Sequence, residues 1–266
     1  MNDFGKYLYS LAIGRPRSHN NLVVWPLVSR RPGPAATASL AGALRDGTCS
    51  ASLLRAPGRL PAWLIRNRAS QALFAGAGEV LCTGTRSATL IHSVVVGAGA
   101  CLEVPATWLR PAAGSPGNDS LPSLAWTTGQ VGAVFCVDGV LRATECFGNP
   151  DLARRACAAS LKRFAAEAAG SVDVSTQVPG DRVLADWIRK ISHIPLEPVP
   201  TLGEGQSFRP VSGTHVGQLL TRGGSVLHAR FSRAMRVRSP VEGRFSPRLV
   251  NSRSVRQVTL ADPWAG

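Results

Sequence analysis

Val131-Gly132-Ala133-Val134-Phe135-Cys136-Val137, Asp138-Gly139, and Val140-Leu141-Arg142-Ala143-Thr144-Glu145-Cys146-Phe147 read as two apolar strands around a two-residue turn. An Asp-Gly pair takes the left-handed backbone that such a turn requires, which makes this the strongest short-range hairpin signal in the 266-residue chain. A hairpin is antiparallel by construction, whereas parallel strands need long crossovers. The expectation is therefore an α+β fold, a mainly antiparallel sheet with two to three packed helices in a single domain.

Working outward, Asn149 and Pro150 form a helix start directly after the hairpin, as an N-cap followed by proline at the first helical position. Leu152, Ala156, Leu161, Phe164 and Ala168 share one face before Gly170 ends the helix, while Arg154, Arg155, Lys162 and Arg163 read as its solvated side. A second amphipathic helix is expected from residue 181 to about 192, with Leu184, Trp187, Ile188 and Ile191 inward and Pro195 beyond its end. Residues 213–220 and 225–231 form a last hairpin around Arg222-Gly223-Gly224.

Upstream, residues 21–27 form a first strand with Pro26 near its end, and 37–47 a short helix from a hydroxyl cap to a glycine stop. Three to five short strands follow, at 49–54, 63–66, 71–74, 89–96 and 101–104, separated by Gly, Asn and Ser turns. Residues 111–130, rich in Pro, Gly, Ser and Asn, read as a loose internal linker. Residues 1–20 read as a flexible segment. Residues 233–266 hold seven Arg against Glu242 and Asp262 without an apolar period, and read as a basic flexible tail.

The start of the chain lacks a basic region followed by an apolar one, and no stretch reaches the roughly 18 apolar residues a membrane span needs. A cytoplasmic protein without a membrane partner is expected. Six cysteines without a CxxC pair fit buried, reduced thiols. The formal net charge is +14, carried almost wholly by Arg, since Lys6, Lys162 and Lys190 are the only lysines. Such a bias follows equally from compositional drift or from selection for a basic surface, and nucleic acid stays open as a partner.

The motifs of common chemistries are missing. No Cys/His spacing suits a metal, no G-x-S-x-G or S-x-x-K marks a nucleophile, and neither Gly76-Ala77-Gly78 nor Gly97-Ala98-Gly99 completes a dinucleotide loop. Neither metal nor cofactor is expected, and the reading leans away from an enzyme. One constellation stands out. Glu79, Arg86 and His92 gather an acid, a guanidinium and an imidazole around one glycine-rich turn, a set that suits a phosphate or ribose, though a turn acid with two surface side chains reads the same way.

The order of several segments resembles a known family. They are residues 21–27, Ile65-Arg66-Asn67-Arg68, Gly78-Glu79, Ser93-Val94-Val95-Val96, Val104-Pro105, the 132–139 turn region, Leu202-Gly203-Glu204-Gly205 with Arg209, and Val226-Leu227-His228 with Phe231. Over about residues 20–232 the chain is similar to the bacterial ARG and rhodanese-phosphatase-superfamily-associated protein domain. That family takes its name from gene neighbours that include ADP-ribosylglycohydrolase, so the resemblance implies a link to ADP-ribose, nucleotides or conflict systems, and it adds Arg209 to the candidate ligand residues Glu79, Arg86 and His92. The family's Asp-Gly-Glu-Glu, Lys-Gln-Asn-Arg and Ser-Cys-Val-Glu runs are here Ala77-Gly78-Glu79-Val80, Thr85-Arg86-Ser87-Ala88 and Thr107-Trp108-Leu109-Arg110. The loss of most ionisable groups implies a divergent member that binds a nucleotide-like molecule or a protein partner without catalysis. An enzyme of ADP-ribose-like or phosphoester compounds and an Arg-dependent nucleic-acid protein are the alternatives.

Overall fold

The computed structural model describes residues 2–30, 37–54, 60–83, 86–108, 126–171 and 177–234. In chain order its elements are α1 (Asp3–Tyr9), β1 (Ala12–Ile13), β2 (Arg17–His19), β3 (Leu22–Val28), β4 (Thr37–Ser39), α2 (Leu40–Arg45), β5 (Cys49–Leu54), β6 (Ala62–Asn67), β7 (Ala72–Ala75), β8 (Val80–Thr83), β9 (Arg86–Leu90), β10 (Val94–Val96) and β11 (Cys101–Trp108). After the return to the main sheet come β12 (Gln130–Val137), β13 (Val140–Phe147), α3 (Pro150–Ala169), α4 (Asp181–Ser192), β14 (Leu196–Val199), β15 (Gln206–Pro210), β16 (His215–Arg222) and β17 (Ser225–Arg233).

The β12–β13 hairpin lies at the centre. Asp138 and Gly139 both take positive φ, 54° and 72°, the backbone of a mirror-image turn that matches the strand twist. Around the hairpin grows a nine-stranded antiparallel sheet in the order β1-β3-β12-β13-β17-β16-β15-β14, with β2 also on β3. Every residue of β12 is buried, which requires a cover on both faces. On one face α1 and α4 seal a core of Trp25, Val134, Leu184, Trp187, Ile191 and Phe231. On the other, α3 packs Leu152, Ala156 and Phe164 against Val24, Phe135 and Phe147.

Between β3 and β12 the chain builds a second unit with its own core. A three-stranded sheet, β10-β7-β4, and a five-stranded one, β5-β6-β11-β9-β8, enclose Leu40, Trp63, Ile65, Leu73 and Val104. It is pinned to the main sheet. The Gln218 side chain of β16 accepts the Ser93 N–H at 2.8 Å and donates to the Ser93 carbonyl at 2.9 Å, and the Glu204 N–H donates to the Val95 carbonyl at 2.9 Å.

The fold class matches the expectation; α3 starts at its Asn149 cap, and α4 spans the range its apolar face marks. Five corrections follow. The first twenty residues, read as flexible, hold α1, whose Phe4 and Leu8 are buried in the main core, with Asn2 capping the helix through a hydrogen bond from the Gly5 N–H. The segment read as one strand over 89–96 is broken, because the Ser93 backbone turns to bond Gln218 instead of a neighbouring strand. The helix expected over 37–47 begins as β4, and Ser39 is its cap. Strands β8, β14 and β15 were not anticipated, since each is short and partly exposed, which leaves no clear period-2 signal. Arg233 ends β17, so the expected tail starts inside the sheet; residues 235–266, like 111–125 of the expected linker, lie outside the described residues.

All six cysteines are free, and Cys49, Cys136, Cys146 and Cys157 are buried; burial pushes the Cys136 thiol up to about 11. Among the described residues no helix is long and apolar enough to cross a membrane.

Candidate functional site

Strand β17 alternates. Ala229 and Phe231 face the α1/α4 core, so His228 and Arg230 project from the opposite face, towards α3. The ladder sets Arg230 directly across from Glu145 of β13, and His228 across from Phe147. Three ionisable residues thus meet on the buried face of two central strands. All are at least nine-tenths buried: Glu145 is 3% exposed, His228 1% and Arg230 9%.

His228 Nε2 lies 3.1 Å from Glu145 Oε1, and the imidazole packs on Phe74 and Phe147. Burial alone would raise the Glu145 carboxyl. The hydrogen bond from His228 and the charges of Arg230 and His228, with Ser160 of α3 nearby, outweigh it and hold that carboxyl below its ordinary range. Arg230 reaches across to the second unit, where Nη1 donates to the Ala77 carbonyl at 3.3 Å. Its Nη2 is buried without a hydrogen-bond partner among the described residues, as are His228 Nδ1 and Glu145 Oε2.

His228 and Arg230, with Glu145 behind them, line a cleft of about 900 Å³ between the main sheet, α3 and the turns of the second unit. Ala77, Gly78 and residues 89–93 form one wall; Arg142, Arg163, Phe164 and Glu167 form another; β16 and β17 close the third. Four guanidinium groups, those of Arg142, Arg163, Arg230 and Arg233, line it against one carboxylate, Glu167, which pairs with Arg142 at 3.2 Å. The Arg163 side chain is exposed, and partial desolvation where it lines the cleft, followed by the charge of Arg230, holds its guanidinium below its ordinary range. The walls are braced by the Ser93 hydroxyl, which accepts the Ala77 N–H at 2.9 Å while Gln218 holds the Ser93 backbone. A braced, cationic concavity at the junction of two structural units suits a small anion.

The four residues singled out from the sequence are not brought together. His92 lines the cleft, and partial burial holds its imidazole below the ordinary value. Glu79 lies beside the Gly76–Gly78 lip without lining the cleft; burial, opposed by a hydrogen bond from the Gly76 backbone, pushes its carboxyl up to about 7. Arg86 stands over the Trp108 ring, 5.8 Å from its centroid, and Arg209 pairs with Glu197 on the β14–β15 hairpin. Arg163, assigned to a solvated helix face, is exposed as expected and also lines the cleft. Glu145 and Arg230 were not among the candidate residues, and His228 entered only as part of a segment that carries the family resemblance. Their one signal was a charged or ionisable side chain at alternate positions within otherwise apolar strands. Among the described residues no group of three or more His, Cys, Asp or Glu could hold a metal ion.

A family model described as the ARG and Rhodanese-Phosphatase-superfamily-associated Protein domain matches residues 118–232, in agreement with the resemblance. The match takes in Glu145, Arg163, His228 and Arg230 and leaves out the wall that carries Ala77 and His92. No curated protein and no solved structure matches the chain.

Proposed function

With residues 118–232 taken as that domain, we propose that the chain is a binding or accessory protein that holds the phosphate of a nucleotide-like small molecule in the cleft and performs no chemistry on it. The observation that carries this reading is Arg230: a guanidinium nine-tenths buried at the cleft base, with one N–H nitrogen unpaired among the described residues. An unsatisfied buried donor costs about 1–3 kcal/mol, which an anion in reach of the guanidinium would offset. Arg142, Arg163 and Arg233 bring further positive charge to the same space. A concavity of this volume suits a small molecule better than a duplex, which favours the nucleotide-like ligand over nucleic acid.

The non-catalytic part rests on how the acids are used. Glu145 is committed to His228 and Arg230, and Glu79 lies outside the cleft lining. Neither is placed as a free proton donor beside a bound ester.

Titration calorimetry of the full chain with AMP and ADP-ribose at low salt tests the binding. Arg163→Gln, at an exposed position, should weaken affinity roughly tenfold or more, the scale of one charge-assisted contact, without moving the unliganded melting midpoint. Undetectable binding, or wild-type affinity in both Arg163→Gln and Arg230→Gln, rejects the reading. Phosphorus NMR of the same mixtures should show no product, and turnover that His228→Gln lowers by two orders of magnitude would establish an enzyme instead.

A further inference from the structure

The phosphate-binding reading accounts for the cationic base of the cleft and leaves its rim unexplained. Two large aliphatic side chains stand there in solvent, Ile91 at 38% and Val216 at 54% exposure, and both line the cleft that holds the arginines. They come from different units. Ile91 belongs to the turn between β9 and β10, and Val216 to β16 of the main sheet.

The seam between the units fixes where they stand. Val216 lies two residues from Gln218 on the same strand, so both project from one face. Ile91 lies two residues from Ser93, whose backbone Gln218 clamps at 2.8 and 2.9 Å. The clamp therefore places Ile91 and Val216 on either side of one seam. Exposed aliphatic surface costs about 25 cal/mol per Å² relative to burial, so a flat, weakly polar group laid between them would gain free energy.

We infer that Ile91 and Val216 form a nucleobase subsite at the cleft rim, and that the ligand is a nucleoside phosphate rather than a sugar phosphate or free phosphate. This inference rests on the phosphate-binding reading. The volume agrees: about 900 Å³ is far more than a phosphate group fills and lies in the range of pockets that enclose a nucleotide-sized ligand. The division of labour is physical. Guanidinium groups hold the charged end, and aliphatic side chains from two units hold the ring.

Calorimetry of the full chain with AMP, ribose 5-phosphate and inorganic phosphate tests it, using wild type, Ile91→Ser, Val216→Ser and the double variant. Wild type should bind AMP roughly tenfold or more tightly than ribose 5-phosphate, about the gain from burying part of an aliphatic pair. In the double variant the two affinities should converge, with ribose 5-phosphate unchanged and the unliganded melting midpoint kept. Should one substitution disturb folding, the other single variant carries the comparison, with half the convergence expected. Equal affinities in wild type, or discrimination that survives both substitutions, overturns the subsite while phosphate binding stands. Failure of all three ligands to bind overturns the phosphate reading and the subsite with it.

Discussion

Glu79 and Glu145 are carboxylates in neighbouring buried surroundings, yet their environments push them apart. Glu145 has the hydrogen bond from His228 and the Arg230 guanidinium beside it, which hold its carboxyl low despite burial; Glu79 has burial and a repelling Glu145, opposed by one backbone N–H, and its carboxyl rises to about 7 from 4.5. The consequence for stability has a definite sign. Below pH 4.5 both folded and unfolded chains hold the Glu79 proton; between 4.5 and 7 the unfolded chain releases it first, so stability falls as pH rises, by on the order of 2–3 kcal/mol. Above 7 the loss is complete. Glu79→Gln should therefore flatten this part of the profile, and urea unfolding at pH 5 and pH 8 measures it. A wild-type and a variant that lose the same stability between those two values would contradict the assignment.

At the scale of elements, α3 carries one wall of the cleft, and its start depends on a single side chain. Asn149 Oδ1 accepts the Leu152 N–H at 2.8 Å, with Pro150 in the first turn. Asn149→Ala should cost about 1 kcal/mol in chemical denaturation, and Asn149→Asp, which retains an acceptor, should cost little. The β12–β13 turn is a second such point. Gly139 holds φ at 72°, where a Cβ is strained, so Gly139→Ala should destabilise by roughly 1 kcal/mol or more, whereas Gly170→Ala, at φ −87°, should not. Asp138 also gathers the Asn21 amide at 2.6 Å and the Ser171 hydroxyl at 2.7 Å, so the turn ties β3 and the end of α3 to the hairpin.

For the whole molecule, the main sheet is covered on both faces, and α1 is part of one cover. Phe4 is 1% exposed and packs on Phe231 with ring centroids 4.8 Å apart, and Asn2 donates to the Ile194 carbonyl beyond α4. Phe4→Ala should cost about 3–5 kcal/mol, the usual penalty for an emptied aromatic site, and lower the melting midpoint accordingly. The far end behaves differently. The Ala234 N–H donates to the Thr214 carbonyl, so the sheet needs the chain at least to that residue. Beyond it the sequence has no apolar period, and a chain ending at Ala234 should unfold at the wild-type temperature; a large drop would show that residues 235–266 pack on the fold.

The sequence alone determined the central hairpin, α3, α4 and the antiparallel class, because each rests on signals within about ten residues. Asp138-Gly139 sets its own turn, Asn149 and Pro150 start their own helix, and Leu184, Trp187, Ile188 and Ile191 mark their own face. Family likeness was also legible there, from the order of short segments. The site was not. Arg230 meets the Ala77 carbonyl across 153 residues of chain, Gln218 meets Ser93 across 125, and His228 meets Glu145 across 83. Such meetings depend on strand register, which a period-2 pattern leaves open until the strands pair, and a one-residue slip would carry His228 and Arg230 to the opposite face. Only the paired sheet, with the second unit clamped on its face through Gln218 and Arg230, decided that an arginine in an apolar strand would face a cleft.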